Sequence, residues 1–289
     1  MDTMTRIEHA LEAAIAGSES PRCPPGLAQA LHYAVFPGGA RIRPRLCLAV
    51  AMACGDDEPA VADHAAAAIE LLHCASLVHD DLPCFDDAAT RRGKPAVHRA
   101  FGERLAVLSG DALIVMAFQT LVRGAARAPA RLAPLMVTIG RGVGAPAGIV
   151  AGQAWECEPR VALAEYHRSK TGALFAAATM AGAAAAGSDP GAWSTLGERL
   201  GEAYQVADDV RDVASNAKDL GKPVGRDTAL GRPSAVRELG VAGAVKRLEK
   251  LVTRAVESIP LCLGADALRA HILLEAEGLL PKKLTRRAA

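Results

Sequence analysis

The stretch "AAAAIELLHCASLVHDDLPCFD", residues 65–86, decides the fold. Its first part is rich in alanine and leucine, which favours a helix because alanine loses no side-chain entropy there. Asp80 and Asp81 follow at the carboxyl end of that helix, where the helix dipole disfavours negative charge. Pro83 then ends the regular helix, since it lacks an N–H group and clashes with the preceding turn. Acidic groups at this end of a helix indicate a positive partner.

The whole chain of 289 residues shares this composition, with 51% hydrophobic but only 3% aromatic residues. No run of alternating β-branched residues predicts a sheet. No linker, low-complexity tract or repeat divides the chain, so we expect one all-α domain over residues 1–289. The predicted helices span residues 3–16, 26–35, 42–54, 59–79, 104–126, 130–151, 163–187, 191–214, 234–257 and 264–277.

Charge and cysteine content narrow the class of protein. Basic and acidic residues number 33 and 32, so no global charge favours nucleic acid or a polybasic membrane anchor. Seven cysteines without zinc spacing indicate free thiols in a reducing cytosol. Residues 1–17 lack the apolar run of a signal peptide. Residues 171–187 are the most apolar stretch, and their alanines and glycines predict a core helix rather than a membrane span. We therefore expect a cytoplasmic protein without stable membrane insertion.

A second acidic cluster lies in "GEAYQVADDVRD", residues 201–212. Asp208 and Asp212 are four residues apart and share one helix face, with Gln205 one turn before them. Two carboxylates about 4 Å apart repel by roughly 4 kcal/mol at an effective dielectric near 20. Mg²⁺ relieves such repulsion, because it binds carboxylate oxygens together with substrate phosphates. We predict two carboxylate walls around Mg²⁺ and a diphosphate; the alternative for the first cluster alone is a solvated acidic loop.

Basic residues accompany both acidic clusters or lie in loops marked by glycine. Arginine binds phosphate oxygens through paired N–H groups, and lysine adds a compact charge. A lone surface Arg or Lys is more commonly a salt-bridge partner, but these positions favour diphosphate binding. The basic residues concerned are Arg41, Arg43, Arg91, Arg92, Lys170 and Lys222.

These motifs, in this order, resemble those of the trans-polyprenyl diphosphate synthases. "DDLPCFD" followed by "RRG" resembles the first aspartate-rich motif, "YQVADDVRD" resembles the second, and "KTG" and "GKxxGxD" elements are present. The resemblance runs from about residue 26 to 235 and is greatest to bacterial geranylgeranyl diphosphate synthases of purple-bacterial carotenoid pathways. It implies a helical bundle around a central cavity, a homodimer, and Mg²⁺-dependent head-to-tail condensation of isopentenyl diphosphate with dimethylallyl, geranyl or farnesyl diphosphate, giving a C20 product.

The resemblance also implies a role for each residue that matches the family's motifs. Magnesium would lie between the aspartate walls, with about three ions per site and Asp208 the foremost ligand of the second wall. The metal-binding residues would be Asp80, Asp81, Asp86, Asp208, Asp209 and Asp212. The residues that bind the allylic diphosphate would be Arg91, Lys170 and Lys222.

Isopentenyl diphosphate would be bound deeper in the cavity, by Arg43, His73 and Arg92. His73 precedes Asp80 by about two helical turns, so both side chains can face one cavity. The alternative for a histidine on an apolar helix is a hydrogen-bonded core residue. Thr171 and Gln205 would face the carbocation, which needs a dry cavity because water would quench it.

Product length would depend on the residues just before the first aspartates. Ala75 and Ser76 precede Asp80 by five and four residues, where an aromatic residue in the family forms a floor that stops growth at fifteen carbons. Two small residues leave space for another isoprene unit and favour twenty carbons. The next barrier would lie deeper, or on the neighbouring helix around residues 112–116.

A departure at Ala40 and several alternative functions remain open from the sequence. Ala40 stands where the family's "GGKRxRP" usually has a lysine, and losing one charged hydrogen bond would cost roughly 1.5–3 kcal/mol unless Arg41 or another cation replaces it. A farnesyl diphosphate or longer-chain synthase is one alternative, and a non-catalytic subunit of a heteromeric synthase is another. The second DDxxD argues against a class I terpene cyclase, and "RRG" with "GKxxGxD" argues against a head-to-head synthase.

Overall fold

A computed structural model of the protein describes residues 1–159, 165–166, 168–214 and 234–279. These residues are mostly helical, as the composition predicts. The α-helices are α1 (Thr3–Ile15), α2 (Pro25–Val35), α3 (Ile42–Ala53), α4 (Pro59–Asp80), α5 (Val97–Phe101), α6 (Glu103–Gly124), α7 (Leu132–Val143), α8 (Ile149–Ala154), α9 (Ala173–Ala185), α10 (Ser194–Ala214), α11 (Ala235–Glu257) and α12 (Ala265–Leu279).

One short ribbon accompanies the helices, and the sequence pattern did not predict it. Strands β1 (Thr90–Arg91) and β2 (Lys94–Pro95) pair in antiparallel register between α4 and α5. Arg92 and Gly93, which join them, have φ angles of 53° and 77°. Two positive φ angles are what the tightest hairpin turns require. The ribbon turns the chain directly after the acidic loop and so keeps Arg91 and Arg92 near the end of α4.

Helices α4 and α9 form the centre of the core. α4 packs against α3, α6 and α9, and its segment 65–68 is fully buried. α9 is buried over nearly its whole length, which confirms that residues 171–187 contain a core helix. Small side chains let the helix backbones approach closely, since a Cβ on Gly182 would collide with the carbonyl oxygen of Cys47 on α3. This close packing holds the end of α4 in a fixed place.

The predicted helix at residues 130–151 is wrong in its length. α7 ends at Val143, and α8 begins at Ile149. Pro146 lies between them and offers no N–H group to a continuous helix, and a Cβ on Gly148 would collide with the backbone of Val143. In the predicted helix at residues 163–187, residues 165–166 are α-helical and Arg168–Gly172 form a π-helical turn before α9. Residues 163, 164 and 167 lie outside the described residues.

In the part of the chain that the structure describes, two helices, α4 and α6, are long and apolar enough to cross a membrane by length and composition alone. The most apolar part of α4 is 72% buried within the protein, as a core helix would be, whereas that of α6 is only 39% buried. Leu108, Val115 and Val122 of α6 are each more than half exposed. We call these three residues the α6 face, an apolar surface that the described residues leave uncovered.

Candidate active site

α4 delivers the first group of aspartates to one end of the bundle. Asp80 is its last residue, and Asp81 caps it. After Pro83 the chain folds back, and the N–H of Asp86 donates to the carbonyl oxygen of Asp80 at 3.0 Å. The break in the helix therefore returns the third acid of the motif to the helix end. We call Asp80, Asp81 and Asp86 the first wall.

Among the described residues, two cations contact the aspartates of the first wall. The Nε of Arg91 donates to the two carboxylate oxygens of Asp81 at 3.0 and 3.2 Å, and the Arg91 guanidinium also lies 3.9 Å from Asp80. The Nζ of Lys170 lies 3.3 Å from Asp80 Oδ1. Burial raises the pKa of Asp81 above its ordinary value, and the hydrogen bonds from Arg91 offset part of that rise. A phosphate group beside Asp80 would therefore meet two cationic donors.

Glu156 is a candidate that sequence reasoning missed. Its Oε1 accepts hydrogen bonds from Lys170 Nζ and from the Tyr166 hydroxyl, both at 2.5 Å. A Cβ on Gly152 of α8 would collide with the backbone of Lys170, so α8 touches the π-helical turn through this glycine. The only sequence signal was an acid four residues after a glycine in "GQAWE". Glu156 orients the ammonium group that contacts Asp80.

α10 carries the second wall, which we define as Asp208, Asp209 and Asp212. The side chain of Asp208 is 28% exposed and accepts a hydrogen bond from Arg211 at 3.2 Å. Asp209 is nearly buried and accepts from Gln205 Nε2 at 3.2 Å and from the backbone N–H of Ala235 at 2.7 Å. Ala235 is the first residue of α11, so Asp209 satisfies one of the free N–H groups at that helix start and ties α10 to α11.

A hydrogen-bonded chain links the two walls. The Thr171 hydroxyl donates to Gln205 Oε1 at 2.9 Å, and Gln205 donates in turn to Asp209. Thr171 follows Lys170, which contacts Asp80 of the first wall. The π-helical turn thus lies between the walls, and the predicted site residues on all three segments come together.

Arg43 and His73 form a separate contact deeper along α4. The Nη1 of Arg43 lies 3.4 Å from the Nε2 of His73. The Arg43 guanidinium also lies over the ring of Phe175, 4.6 Å from the ring centroid, a favourable cation–π distance. Burial and the surrounding arginines hold the pKa of His73 well below 6.5, so the ring is neutral at neutral pH. Neutral His73 can donate a hydrogen bond without adding a further charge.

Arg41 does not replace the lysine that the family usually has at Ala40. Its buried side chain donates to Glu8 at 2.8 Å, to Glu70 at 2.7 Å and to the carbonyl oxygen of Val35 at 3.0 Å. These bonds use the whole fork of the guanidinium. Arg41 is therefore a structural residue that connects α1, α2 and α4.

Arg92 approaches the same region from the turn of the ribbon. Its Nη2 lies 3.4 Å from Glu70 Oε1, and its Nη1 lies 3.9 Å from the sulfur of Cys74. Glu70 is a second residue that sequence reasoning missed, although a lone acid within an apolar helix is a signal that a buried charge needs a partner. Lys222 lies outside the described residues, so its role stays a prediction.

One face of α4 leads away from the first wall. His73, Ser76, Leu77 and Asp80 are partly exposed and follow one another at helical spacing. Ala75, in contrast, is 1% exposed and packs in the main core. Of the two positions expected to set product length, Ser76 is the one on this accessible face. The deeper barrier around residues 112–116 stays a prediction.

The donor set fits magnesium bound together with a substrate. In the part of the chain that the structure describes, no three acidic, histidine or cysteine side chains converge into a complete metal centre. Mg²⁺ commonly keeps several waters and takes one or two carboxylates plus substrate phosphates. Carboxylates on two walls, with phosphate-binding cations beside them, suit that mode of binding.

Comparisons with known proteins agree with these motifs. A sequence profile of the polyprenyl synthetase family matches residues 24–259. The geranylgeranyl diphosphate synthase of Cereibacter sphaeroides is 56% identical over 282 residues, covering 98% of each chain. That of Rhodobacter capsulatus is 51% identical over 275 residues, covering 95% of each chain. The chain belongs to the polyprenyl synthetase family, which confirms the resemblance found in its motifs.

A solved structure supports the fold. The geranyltransferase of Helicobacter pylori, crystallised with magnesium and isoprenyl diphosphate, superposes with a TM-score of 0.78 at 28% identity. The match covers 95% of this chain and 97% of that one. The predicted all-α fold is confirmed.

Proposed function

We propose that the protein is a geranylgeranyl diphosphate synthase that elongates allylic diphosphates with isopentenyl diphosphate to a C20 product for carotenoid and isoprenoid biosynthesis. The observation that carries the proposal is the connection between the walls: Asp80 contacts Lys170, and the next residue, Thr171, bonds Gln205 beside the second wall. Both relatives, at 56% and 51% identity, are geranylgeranyl diphosphate synthases.

The allylic diphosphate binds between the two walls. Arg91 and Lys170, with Lys222 as a third cation, donate hydrogen bonds to its oxygens. The aspartates of the first and second walls would hold magnesium, about three ions by family resemblance, with Asp80 and Asp208 the principal ligands. When bound, these ions would neutralise the leaving diphosphate and so weaken its C–O bond.

Isopentenyl diphosphate binds deeper along α4, where Arg43, neutral His73 and Arg92 hold its diphosphate. Its double bond attacks the allylic carbon as the C–O bond breaks, a new C–C bond forms, and the proton lost leaves with the released diphosphate. The oxygens of Thr171 and Gln205 face the transient positive charge. The alanine-rich helices around the site exclude water, which would otherwise quench the cation.

The growing chain extends along the accessible face of α4. Ser76 is small and lies on that face, and Ala75 beside it adds no bulk. The space they leave favours a C20 product over a C15 product. Ser76→Phe is expected to shift the main product to C15, while Ser76→Ala keeps C20, as product chromatography would show.

The protein acts in the cytoplasm as a homodimer in this proposal. The α6 face supports the dimer, because three aliphatic side chains more than half exposed on one helix are suited to an interface. Free cysteines, two of them exposed, suit a reducing compartment.

Incubation with Mg²⁺, isopentenyl diphosphate and each allylic primer, followed by chain-length analysis, tests the function. C20 product that disappears with EDTA is the expected result. A dominant C15 product would contradict the chain-length argument. No turnover with any primer would contradict the synthase itself and favour a non-catalytic subunit, which Ala40 in place of lysine otherwise supports.

A further inference from the structure

The proposed site for isopentenyl diphosphate is crowded with positive charge. Several guanidinium groups lie close enough to His73 to lower its pKa, after the larger effect of burial. Positive charges gathered around one side chain repel one another, and this repulsion would drive the flexible arginine side chains apart. The arginines concerned are Arg41, Arg43, Arg91 and Arg92.

Glu70 lies within this group. Its side chain is 2% exposed, and a single oxygen, Oε1, lies 2.7 Å from Arg41 Nη1 and 3.4 Å from Arg92 Nη2. Arg41 has a second carboxylate partner in Glu8. Within the described segments, the other side-chain contact of Arg92 is the sulfur of Cys74 at 3.9 Å, which is a weak acceptor. The orientation of the Arg92 guanidinium therefore depends on Glu70 more than that of Arg41 does.

The backbone around the two arginines is also strained. Arg41 and Arg92 have φ angles of 50° and 53°, in the left-handed region that few non-glycine residues adopt. Such conformations persist where the surrounding contacts hold them. The backbone of Gly38 and Gly39, in the loop before α3, lies directly on both guanidinium groups. A Cβ on Gly39 would lie 3.1 Å from Arg92 Nε, and a Cβ on Gly38 would collide with the Arg41 side chain. One buried carboxylate thus contacts both arginines, and their guanidinium groups lie against the backbone of Gly38 and Gly39.

We propose that Glu70 is a positioning residue for isopentenyl diphosphate, because its carboxylate holds Arg92 in the orientation that binds the diphosphate. This inference rests on the proposed function, in which Arg92 contacts that substrate. Glu70 is buried beneath the arginines and acts through Arg92. A guanidinium that is already oriented loses less side-chain freedom when the diphosphate binds.

The test compares Glu70→Gln with Glu8→Gln. Both variants remove a carboxylate partner of Arg41, but only Glu70 contacts Arg92. Glu70→Gln is expected to raise the KM for isopentenyl diphosphate about tenfold and to change kcat and the KM for the allylic substrate less than twofold. Glu8→Gln is expected to leave all three constants within twofold of wild type. Equal effects of the two variants, or an equal rise in both KM values for Glu70→Gln, would overturn the proposal.

A double variant separates this inference from the function on which it rests. If Glu70 acts through Arg92, adding Glu70→Gln to Arg92→Ala raises the KM for isopentenyl diphosphate less than twofold further. Independent, multiplicative effects would overturn the positioning role while leaving Arg92 as a ligand. An unchanged KM in Arg92→Ala alone would instead overturn the substrate assignment of Arg92.

Glu70→Asp replaces Glu70→Gln if circular dichroism shows that the latter does not fold. The aspartate keeps the charge but withdraws the oxygen from both guanidinium groups by about one bond length. A rise of threefold or more in the KM for isopentenyl diphosphate alone is the expected result. An unchanged KM would overturn the proposal.

Discussion

The two aspartate walls resemble each other in sequence but differ in what their carboxylates contact. In the first wall, Asp81 pairs with Arg91, and Asp80 lies near both Arg91 and Lys170. Both cations are proposed ligands of the diphosphate. The contacts of the first wall are therefore ones that a bound substrate can share or replace.

In the second wall, the nearly buried aspartate makes a structural contact. Asp209 accepts a hydrogen bond from the first N–H of α11, whereas Asp208 is partly exposed. Two adjacent acids in one motif thus have different surroundings. The difference supports the proposal that Asp80 and Asp208 are the matched pair of metal ligands, and that Asp209 mainly fixes the second wall in place.

The largest expected effect follows from removing either member of the matched pair. Asp80→Ala and Asp208→Ala should each lower kcat about a thousandfold, equal to roughly 4 kcal/mol, because the leaving diphosphate loses part of its charge neutralisation. Steady-state assays with Mg²⁺ measure this loss. Asp266→Ala, at a fully solvated carboxylate of α12, is the control and should match wild type. Near-normal rates for either variant would contradict the assignment of Asp80 and Asp208 as metal ligands.

Asp209→Ala should chiefly affect stability. It removes a hydrogen bond at the start of α11 and should lower the free energy of unfolding by about 1–2 kcal/mol. Asp208→Ala should leave that free energy within about 0.5 kcal/mol of wild type. Chemical denaturation of both variants provides the measurement. An equal loss of stability in Asp208→Ala and Asp209→Ala would contradict the structural role proposed for Asp209.

Glu156→Gln should weaken the first wall without touching its aspartates. Lys170 would lose a charged partner at 2.5 Å and with it the orientation toward Asp80. We expect kcat/KM for the allylic substrate to fall about tenfold, or roughly 1.4 kcal/mol. Glu158→Gln, at an exposed acid two residues away, is the matched control. If both variants behave alike, the support of Lys170 by Glu156 is refuted.

The smallest expected effect concerns His73, which lies away from both walls. Its pKa in the folded protein is held well below 6.5 by burial and nearby arginines. The unfolded chain takes up a proton below that pH while the buried ring does not, so stability falls as the pH decreases. Between about pH 7.5 and about pH 5.5, His73→Gln should lose about 1 kcal/mol less stability than wild type. Identical losses in thermal denaturation would contradict a neutral His73.

Helical periodicity predicted the fold well because apolar positions recur along α4, α9 and α10. It failed between α7 and α8, where the glycines around Pro146 allow a tight turn that local pattern does not reveal. The acid clusters predicted the walls, since dense like charge needs a cation. Glu70, Glu156 and the bond from Ala235 to Asp209 were not predicted. Their partners Arg92, Lys170 and Asp209 lie 22, 14 and 26 residues away in the chain and meet them only in the folded protein.

Calorimetric titration with farnesyl thiolodiphosphate, an unreactive allylic analogue, tests the central difference between the walls most directly. Wild type, Asp208→Asn and Asp209→Asn would each be titrated with and without Mg²⁺. We predict Mg²⁺-dependent binding that Asp209→Asn retains within about threefold and that Asp208→Asn weakens at least about thirtyfold. Equal weakening in the two variants, or wild-type binding that is equally tight without Mg²⁺, would contradict it.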